Sequence, residues 1–396
     1  MKFSSKIEKC SQSPLLVFQG EANAAEAGGA KIYHLNIGQP DILTPPAYYE
    51  AIRNFSEPVL KYCDSPGLPE FIHSVEGYFK RIGVELQDKD ILATFGGSEA
   101  IQMLMAAILD EGDEIITPEP YYANYHTAIT LTGAKIHPIR TCPQEGYRYA
   151  VRERVEECIN EHSRAILITN PGNPTGAVLT KQELQLMLDI AKEHNLFLIC
   201  DEVYREFTYE GEPLMSALQF PGYEDNVVVL DSVSKRFSAC GARVGVLISK
   251  NRALMAHCLK WCQCRICVST IDQAAAAKLY AVDPGYFDAT REEYKRRRDT
   301  MVEKLSKIPG IVFKKPRGAF YVMAALPVDN AEKFQHWLLN DFRDNGETVM
   351  FTCGEDFYVT PGLGINEVRM AYVLKEEDII RGLDILTKAI EEYNKL

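Results

Sequence analysis

The sequence predicts an α/β protein: a large domain with a mostly parallel sheet covered by helices, and a smaller α+β domain after it. Three observations predict this. Between residues 90 and 249, short apolar segments of strand character alternate with amphipathic helical segments. Parallel strands are joined by crossover helices that cover both faces, so they read as near-continuous Val/Ile/Leu runs. The chain has 396 residues, 46% of them hydrophobic and 25% charged, which is enough to bury a large core and a second, smaller one. From about Tyr286 the pattern changes to a helix followed by hairpin-like and strand segments.

The elements follow in order. "DILATF" (90–95) reads as a strand, and "SEAIQMLMAAIL" (98–109) as a helix with Ser98 as its N-cap. "DEIITP" (113–118) is a strand, "YYANYHTAITLTG" (121–133) a helix ending at Gly133, and "AKIHPI" (134–139) a strand. A helical stretch at 151–160 leads to the strand "AILIT" (165–169). "TKQELQLMLDIAKEHN" (180–195) has the spacing of an amphipathic helix, and "LFLIC" (196–200) is a short buried strand. "NVVVLDS" (226–232) and "RVGVLIS" (243–249) are β-branched strands. In the tail, "GIVFKKPRGAFYVMAAL" (310–326) reads as hairpin-like and "EVRMAYV" (367–373) as a strand. No internal repeat or low-complexity linker interrupts the pattern.

Composition excludes some functions. The formal net charge is −12, which argues against nucleic acid or an anionic membrane as partner, since both are bound by neutralising phosphates. The basic run "KRRR" (295–298) is flanked by acidic residues and reads as a solvated helix face. No run of apolar residues reaches membrane-spanning length, and "MKFSSKIEKC" lacks the apolar core of a signal peptide. Eleven cysteines, an odd number without a disulfide framework, fit a reducing cytoplasm. Within "CQCRIC" (262–267) three thiols lie close together, with His257 and Cys258 nearby. Structural zinc sites take four ligands in paired spacings, so buried small hydrophobes are the better reading and no metal is expected.

The chemistry gathers where the strands end. In open α/β sheets, ligands bind beyond the carboxyl ends of the strands. "GGSEA" follows the first predicted strand, "NPGNPTG" (170–176) the fourth, "DEVY" (201–204) the fifth and "SVSKR" (232–236) the sixth. Two Asn-Pro pairs and two glycines make "NPGNPTG" a stiff turn that holds Asn173 just past a strand end. "GGSEA" offers N–H groups at a helix N-terminus, a ready anion site, although Gly-Gly before a helix is common. A lysine poised in a largely enclosed pocket can have a lowered pKa and form a Schiff base, which makes Lys235 a candidate, but a lysine after a strand is more often a surface lysine. Asp201 caps a turn or, if the pocket holds a pyridine ring, faces its nitrogen. Arg243, eight residues after Lys235, has the planar fork that suits phosphate.

"NPGNPTG", "DEVY" and "SVSKRFSACGARVG", in this order, resemble the fold type I pyridoxal-phosphate enzymes, the class I/II aminotransferase family (aspartate aminotransferase superfamily). "YHLNIGQPDILTPP", "YCDSPGLPEF", "TPEPYYANY", "GAFYVM" and "VRMAYV" extend the resemblance over nearly the whole chain. It implies a seven-stranded type of sheet in a large domain of residues 45–285. It also implies a small domain of residues 286–396, joined by the N-terminal segment 1–44. The cofactor implied is pyridoxal 5'-phosphate. Lys235 resembles the Schiff-base lysine that also moves the substrate's α-proton, and Asp201 the partner of the pyridine nitrogen. Tyr204 and Asn173 resemble the groups on the cofactor's phenolic oxygen, and Tyr122 the aromatic residue stacked on the ring. Gly97, Ser98 and Glu99 would meet the phosphate through amides or a hydroxyl, joined by Ser232, Ser234 and Arg243. Tyr62 resembles the tyrosine that reaches the phosphate of a neighbouring subunit, which implies a homodimer with shared active sites. Arg369 resembles the arginine that grips the substrate's α-carboxylate, with Gly38 adding a backbone contact and Asn173 close by.

The implied activity is transfer of an amino group from an L-amino acid to a 2-oxo acid such as 2-oxoglutarate, in amino acid metabolism and biosynthesis. Aspartate is the leading donor, with alanine and aromatic amino acids behind it. A lyase or decarboxylase on the same fold is the alternative, because the pocket decides the fate of a carbanion that the cofactor makes. A DNA-binding regulator is disfavoured by the acidic balance, and a nicotinamide-dependent dehydrogenase by the missing G-x-G-x-x-G turn. Cys240 and Ala242 stand where many relatives carry other residues, with the lysine-to-arginine spacing kept. For a distal carboxylate, Arg265 is a candidate by neighbourhood only, and a structural ion pair is its equal alternative. If "SPLLVFQ" covers the substrate, Leu16, Val17 and Phe18 would favour a less polar side chain.

Overall fold

A computed structural model describes residues 1–10, 12–14, 16–211 and 214–396. Its centre is a seven-stranded sheet built from β2 (Ile91–Thr94), β3 (Glu114–Glu119), β4 (Lys135–Arg140), β5 (Ser163–Thr169), β6 (Phe197–Asp201), β7 (Val227–Ser232) and β8 (Gly245–Ile248), with β1 (Lys31–His34) lying outside it. The strand order is β2-β8-β7-β6-β5-β3-β4. All neighbours are parallel except β8, which runs antiparallel to both β2 and β7.

Alternation of side chains explains why the strands read as unbroken apolar runs. Ile166 and Ile168 of β5 enter one core with Leu198 and Val229. Ala165 and Leu167 enter the opposite core with Ile199 and Val228. Both faces of each strand are therefore dry, and a fully buried Leu or Ile contributes about 1.5–3 kcal/mol. The helix Lys181–Glu193 covers one face. Thr180 caps it by accepting from the Glu183 amide at 3.2 Å, while the Glu183 carboxylate accepts from the Thr180 amide at 2.9 Å.

Two sequence expectations are corrected. The helix predicted to start at Ser98 starts at Gly96, so Ser98 lies in its first turn and the N-cap position belongs to Phe95. The Glu99 carboxylate accepts from the Phe95 amide at 2.7 Å and takes over the capping. The run at 295–298 is not wholly a solvated face. Arg297 and Arg298 are buried within the helix Gly285–Leu305 and are paired with Asp41 and Glu210, both at 2.7 Å. A helix packed on several sides turns part of a charge run inward, and paired guanidiniums tolerate it.

Around this body lie β9 (Val312–Phe313), β10 (Tyr321–Ala325), β11 (Glu347–Met350), β12 (Thr352–Cys353) and β13 (Glu367–Ala371). They form an antiparallel sheet of order β12-β13-β10-β9, while β11 pairs in parallel with β1. Phe18, Ala22 and Ile32 share one core with Val349, Phe351 and Leu386. Among the described residues, no helix is long and apolar enough to cross a membrane.

Candidate active site

The carboxyl ends of β5, β6 and β7 open into a cavity of about 780 Å³. Gly38, Gly97, Ser98, Tyr122, Asn173, Asp201, Tyr204, Ser232, Ser234, Lys235, Arg243 and Arg369 all line it. Residues more than 300 positions apart in the chain thus meet because strand ends and one strand of the second sheet converge.

Lys235 sits on a single helical turn, Val233–Arg236, directly after β7. The Ser232 hydroxyl accepts from the Ser234 amide at 3.1 Å and starts that turn. The lysine ammonium donates to the Gly38 carbonyl at 3.0 Å, with Cys240 Sγ at 4.0 Å. Gly38 must be glycine here, because a Cβ would collide with the Tyr321 hydroxyl. The next residue, Arg236, is fully buried and paired with Asp231, which anchors the turn from below.

Asp201 ends β6 and is buried. Its Oδ2 accepts from the Tyr125 hydroxyl at 2.6 Å and its Oδ1 from the Val203 amide at 3.3 Å. Burial pushes its pKa up to about 6, against the pull of those two hydrogen bonds and of Lys235. Asn173 is held in a turn closed by Gly172 and Ala177, whose amide-to-carbonyl bond is 2.8 Å. Its Nδ2 donates to the Tyr204 hydroxyl at 3.4 Å, and Tyr204 also shares a 3.0 Å hydrogen bond with Tyr321. Burial holds the Tyr204 phenol well above its ordinary pKa, so it remains a donor. Tyr122 is pushed up to about 12, again chiefly by burial.

Arg369 lies on β13 and is 2% exposed. It donates to Asn173 Oδ1 at 3.1 Å and to the Asn36 carbonyl at 2.8 Å. Its Nε is buried without a partner among the described residues. A buried guanidinium with an unspent donor is a receptor for an oxyanion. The opposite end of the cavity has the same character. First-turn amides of the helix Gly96–Ile108 lack intrahelical partners, and Arg243 lies over Gly96. Gly96 has φ +69, and a Cβ there would sit 2.7 Å from Arg243 Nη2.

Glu99, Arg265 and Tyr62, all selected from the sequence, stand apart from the cavity. Glu99 does not line the cavity; it pairs with Arg265 at 3.2 Å and accepts from Trp261 at 3.3 Å. Arg265 in turn donates to the Ala93 carbonyl at 2.9 Å and does not line the cavity, so it is held structurally although its Nη1 has no partner among the described residues. Tyr62 is 79% exposed and does not line the cavity. The N-terminal expectation is corrected as well. Gln12, Ser13 and Pro14 reach the cavity, while Leu16 and Val17 are exposed and Phe18 packs edge-on against His336. Phe18 precedes the helix Gln19–Ala27 and belongs to its core. Sequence reasoning missed Tyr125, Thr169 and Tyr321. Tyr125 follows Tyr122 at helical spacing, which was a usable signal; Thr169 and Tyr321 needed the strand pairings.

Fold and cavity together define a fold type I transferase: a covered sheet whose carboxyl edge carries Lys235, with the buried Arg369 and a helix N-terminus beside Arg243 on the same cavity. The description "Aminotransferase class I and II" matches residues 30–385. The chain is 30% identical over 394 residues to a probable aspartate/prephenate aminotransferase of Aquifex aeolicus, covering 98% of each. It is 32% identical over 387 residues to an aspartate aminotransferase of Thermotoga maritima, covering 96% of this chain and 97% of that one. Among solved structures, an alanine aminotransferase from Pyrococcus furiosus superposes with a TM-score of 0.90 at 29% identity, over 99% of this chain and all of the other. The chain belongs to the aminotransferase class I and II family, and it is a transaminase.

Proposed function

We propose that this chain binds pyridoxal 5'-phosphate and transfers the amino group of an L-amino acid, aspartate first, to a 2-oxo acid, with 2-oxoglutarate as acceptor. The observation that carries this reading is the meeting of Lys235, Asp201, Asn173, Tyr204 and Arg369 on one cavity. The residues fit the cofactor. Among the described residues, the buried Asp201 carboxylate forms no ion pair and Arg369 Nε has no hydrogen-bond partner. Pyridoxal phosphate supplies an aldehyde that condenses with amines and a ring that withdraws electrons from the substrate's α-carbon.

The protein supplies the rest. Gly97, Ser98 and Arg243, with the Ser232 and Ser234 hydroxyls, hold the phosphate, and Glu99 would add its amide. Asp201 holds the proton on the ring nitrogen. Asn173 and Tyr204 donate to the phenolic oxygen, and Tyr122 covers the ring. Arg369 grips the α-carboxylate beside Asn173 and the Gly38 backbone. Lys235 anchors the cofactor and carries the α-proton on Nζ, which its contact with Gly38 keeps within the cavity. Such placement of reacting groups supplies several kcal/mol of a barrier, on the order of 7 or more in well-oriented cases.

On the same reading, residues 45–285 form the large domain, and 1–44 with 286–396 the small one. The pairing of β1 with β11 supports this division. The working unit is a homodimer in which Tyr62 reaches the partner's phosphate. Exposed Val59, Leu60, Phe95, Trp261 and Ile266 support a covered face there. Eleven free thiols support a reducing cytoplasm. The test is a visible spectrum followed as single amino acids are added without an oxo acid. Conversion to the amine form of the cofactor with aspartate supports the reading; conversion only with alanine or an aromatic amino acid changes the donor. Release of ammonia or carbon dioxide without that conversion would replace transamination with a lyase or decarboxylase activity.

A further inference from the structure

Asp201 closes β6 and Thr169 closes β5, and the two are register partners across the parallel pair. Two polar side chains therefore emerge side by side at the carboxyl edge of the sheet. Tyr125, on the helix Asn124–Thr130, meets both. Its hydroxyl donates to Asp201 Oδ2 at 2.6 Å and lies 2.8 Å from Thr169 Oγ1. Tyr125 is 2% exposed, and burial followed by the Asp201 charge holds its phenol well above its ordinary pKa. A phenol has one proton, and here it is given to Asp201. The Thr169 hydroxyl must then donate to the Tyr125 oxygen. The result is a directed chain from Thr169 through Tyr125 to Asp201.

Buried tyrosines elsewhere also give their proton to a carboxylate, as Tyr147 does to Glu367 at 2.9 Å, so what sets Tyr125 apart is which carboxylate it meets. This one gives its proton to the carboxylate whose charge the cofactor ring requires. Among the described residues, the remaining oxygen, Oδ1, receives only the 3.3 Å contact from the Val203 amide. The other groups facing Asp201 are few. Asp231 on β7 opposes its ionisation and Lys235 favours it. Tyr122 and Cys200 are both held protonated, chiefly by burial.

We propose that Tyr125, with Thr169 behind it, is a positioning residue for Asp201: it occupies Oδ2, favours the ionised carboxylate and leaves Oδ1, which accepts only the long Val203 contact, to hold a protonated ring nitrogen. This rests on the pyridoxal-phosphate reading above. Tyr125 does not touch the reacting atoms in this scheme; it acts through Asp201. A hydrogen bond to the charged form of an acid favours that form, and it does so most where water is excluded.

The experiment is a titration of cofactor-free protein with pyridoxal 5'-phosphate, reading the dissociation constant from below to above the Asp201 pKa of about 6. A ring bound with its nitrogen protonated needs Asp201 ionised, so affinity falls as pH drops through that value. In Tyr125→Phe the midpoint of this fall moves up by about one pH unit, a tenfold change in Asp201 ionisation. Thr169→Val moves it in the same direction by less. An unshifted midpoint in both variants overturns the proposal. So does an equal weakening at every pH accompanied by a lower melting temperature, which is what a packing role alone would give. If Tyr125→Phe does not fold, Thr169→Val decides, and an unshifted midpoint there overturns the proposal. A wild-type chain that takes up no pyridoxal phosphate at any pH overturns this proposal together with the functional reading, whereas normal uptake with unshifted variants overturns this proposal alone.

Discussion

Arg369 donates from Nη1 to Asn173 Oδ1 at 3.1 Å, across 196 positions of the chain. One residue comes from β13 of the outer sheet and the other from the turn that follows β5 of the central sheet. The bond ties the residue assigned to the substrate's carboxylate to one assigned to the cofactor. It also leaves Nη2 on the Asn36 carbonyl and Nε unspent, so the guanidinium is oriented before any ligand arrives.

Replacing Arg369 by lysine keeps the charge and loses the fork. A point charge cannot serve Asn173, Asn36 and a bidentate carboxylate together. The expected outcome is a fall in kcat/KM of about 10²-fold, with the cofactor's visible spectrum unchanged, since charge-assisted hydrogen bonds are worth about 1.5–3 kcal/mol. Steady-state kinetics with matched spectra check this. An unchanged kcat/KM would remove Arg369 from the substrate site.

Lys235→Ala removes the only lysine that lines the cavity among the described residues. We expect loss of the visible band of the lysine-bound cofactor and no turnover. A variant that stays yellow and active would show that another amine carries the chemistry.

Gly96→Ala tests the phosphate end. Gly96 has φ +69 and a Cβ would sit 2.7 Å from Arg243 Nη2, so the substitution adds about 1 kcal/mol of backbone strain and displaces the arginine. Cofactor should be lost during gel filtration and recovered only at higher added concentration. Retention equal to wild type would mean that the helix terminus and Arg243 do not bind the phosphate.

Asp201 makes the stability of the cofactor-free protein depend on pH. Its folded pKa of about 6 lies above the ordinary carboxylate value, because burial dominates. The folded state therefore binds the proton more tightly than the unfolded state does. This contribution is fully present below the unfolded pKa and is lost as pH rises through the folded pKa. Between about pH 4 and 6, Asp201 should cost the cofactor-free protein up to about 3 kcal/mol relative to Asp201→Asn. Melting temperatures of both proteins across that window decide it. A constant difference would mean that Asp201 titrates normally.

The sequence alone determined the alternation of strands and helices, because apolar periodicity and turn residues act within a few positions. It also located the chemistry. "NPGNPTG", "DEVY" and "SVSKR" each follow a strand, and in a parallel sheet all those ends lie on one edge, so Asn173, Asp201 and Lys235 were legible as neighbours before any coordinate. The inward turn of Arg297 and Arg298 was not legible, because it depends on which helix faces are covered. Nor was the diversion of Glu99 and Arg265 into a private ion pair, since the direction of a side chain depends on what competes for it. Only the tertiary structure set Thr169 beside Asp201, with Tyr125 bridging them. Strand register is a pairing between distant segments, and no local preference specifies which residue stands opposite which.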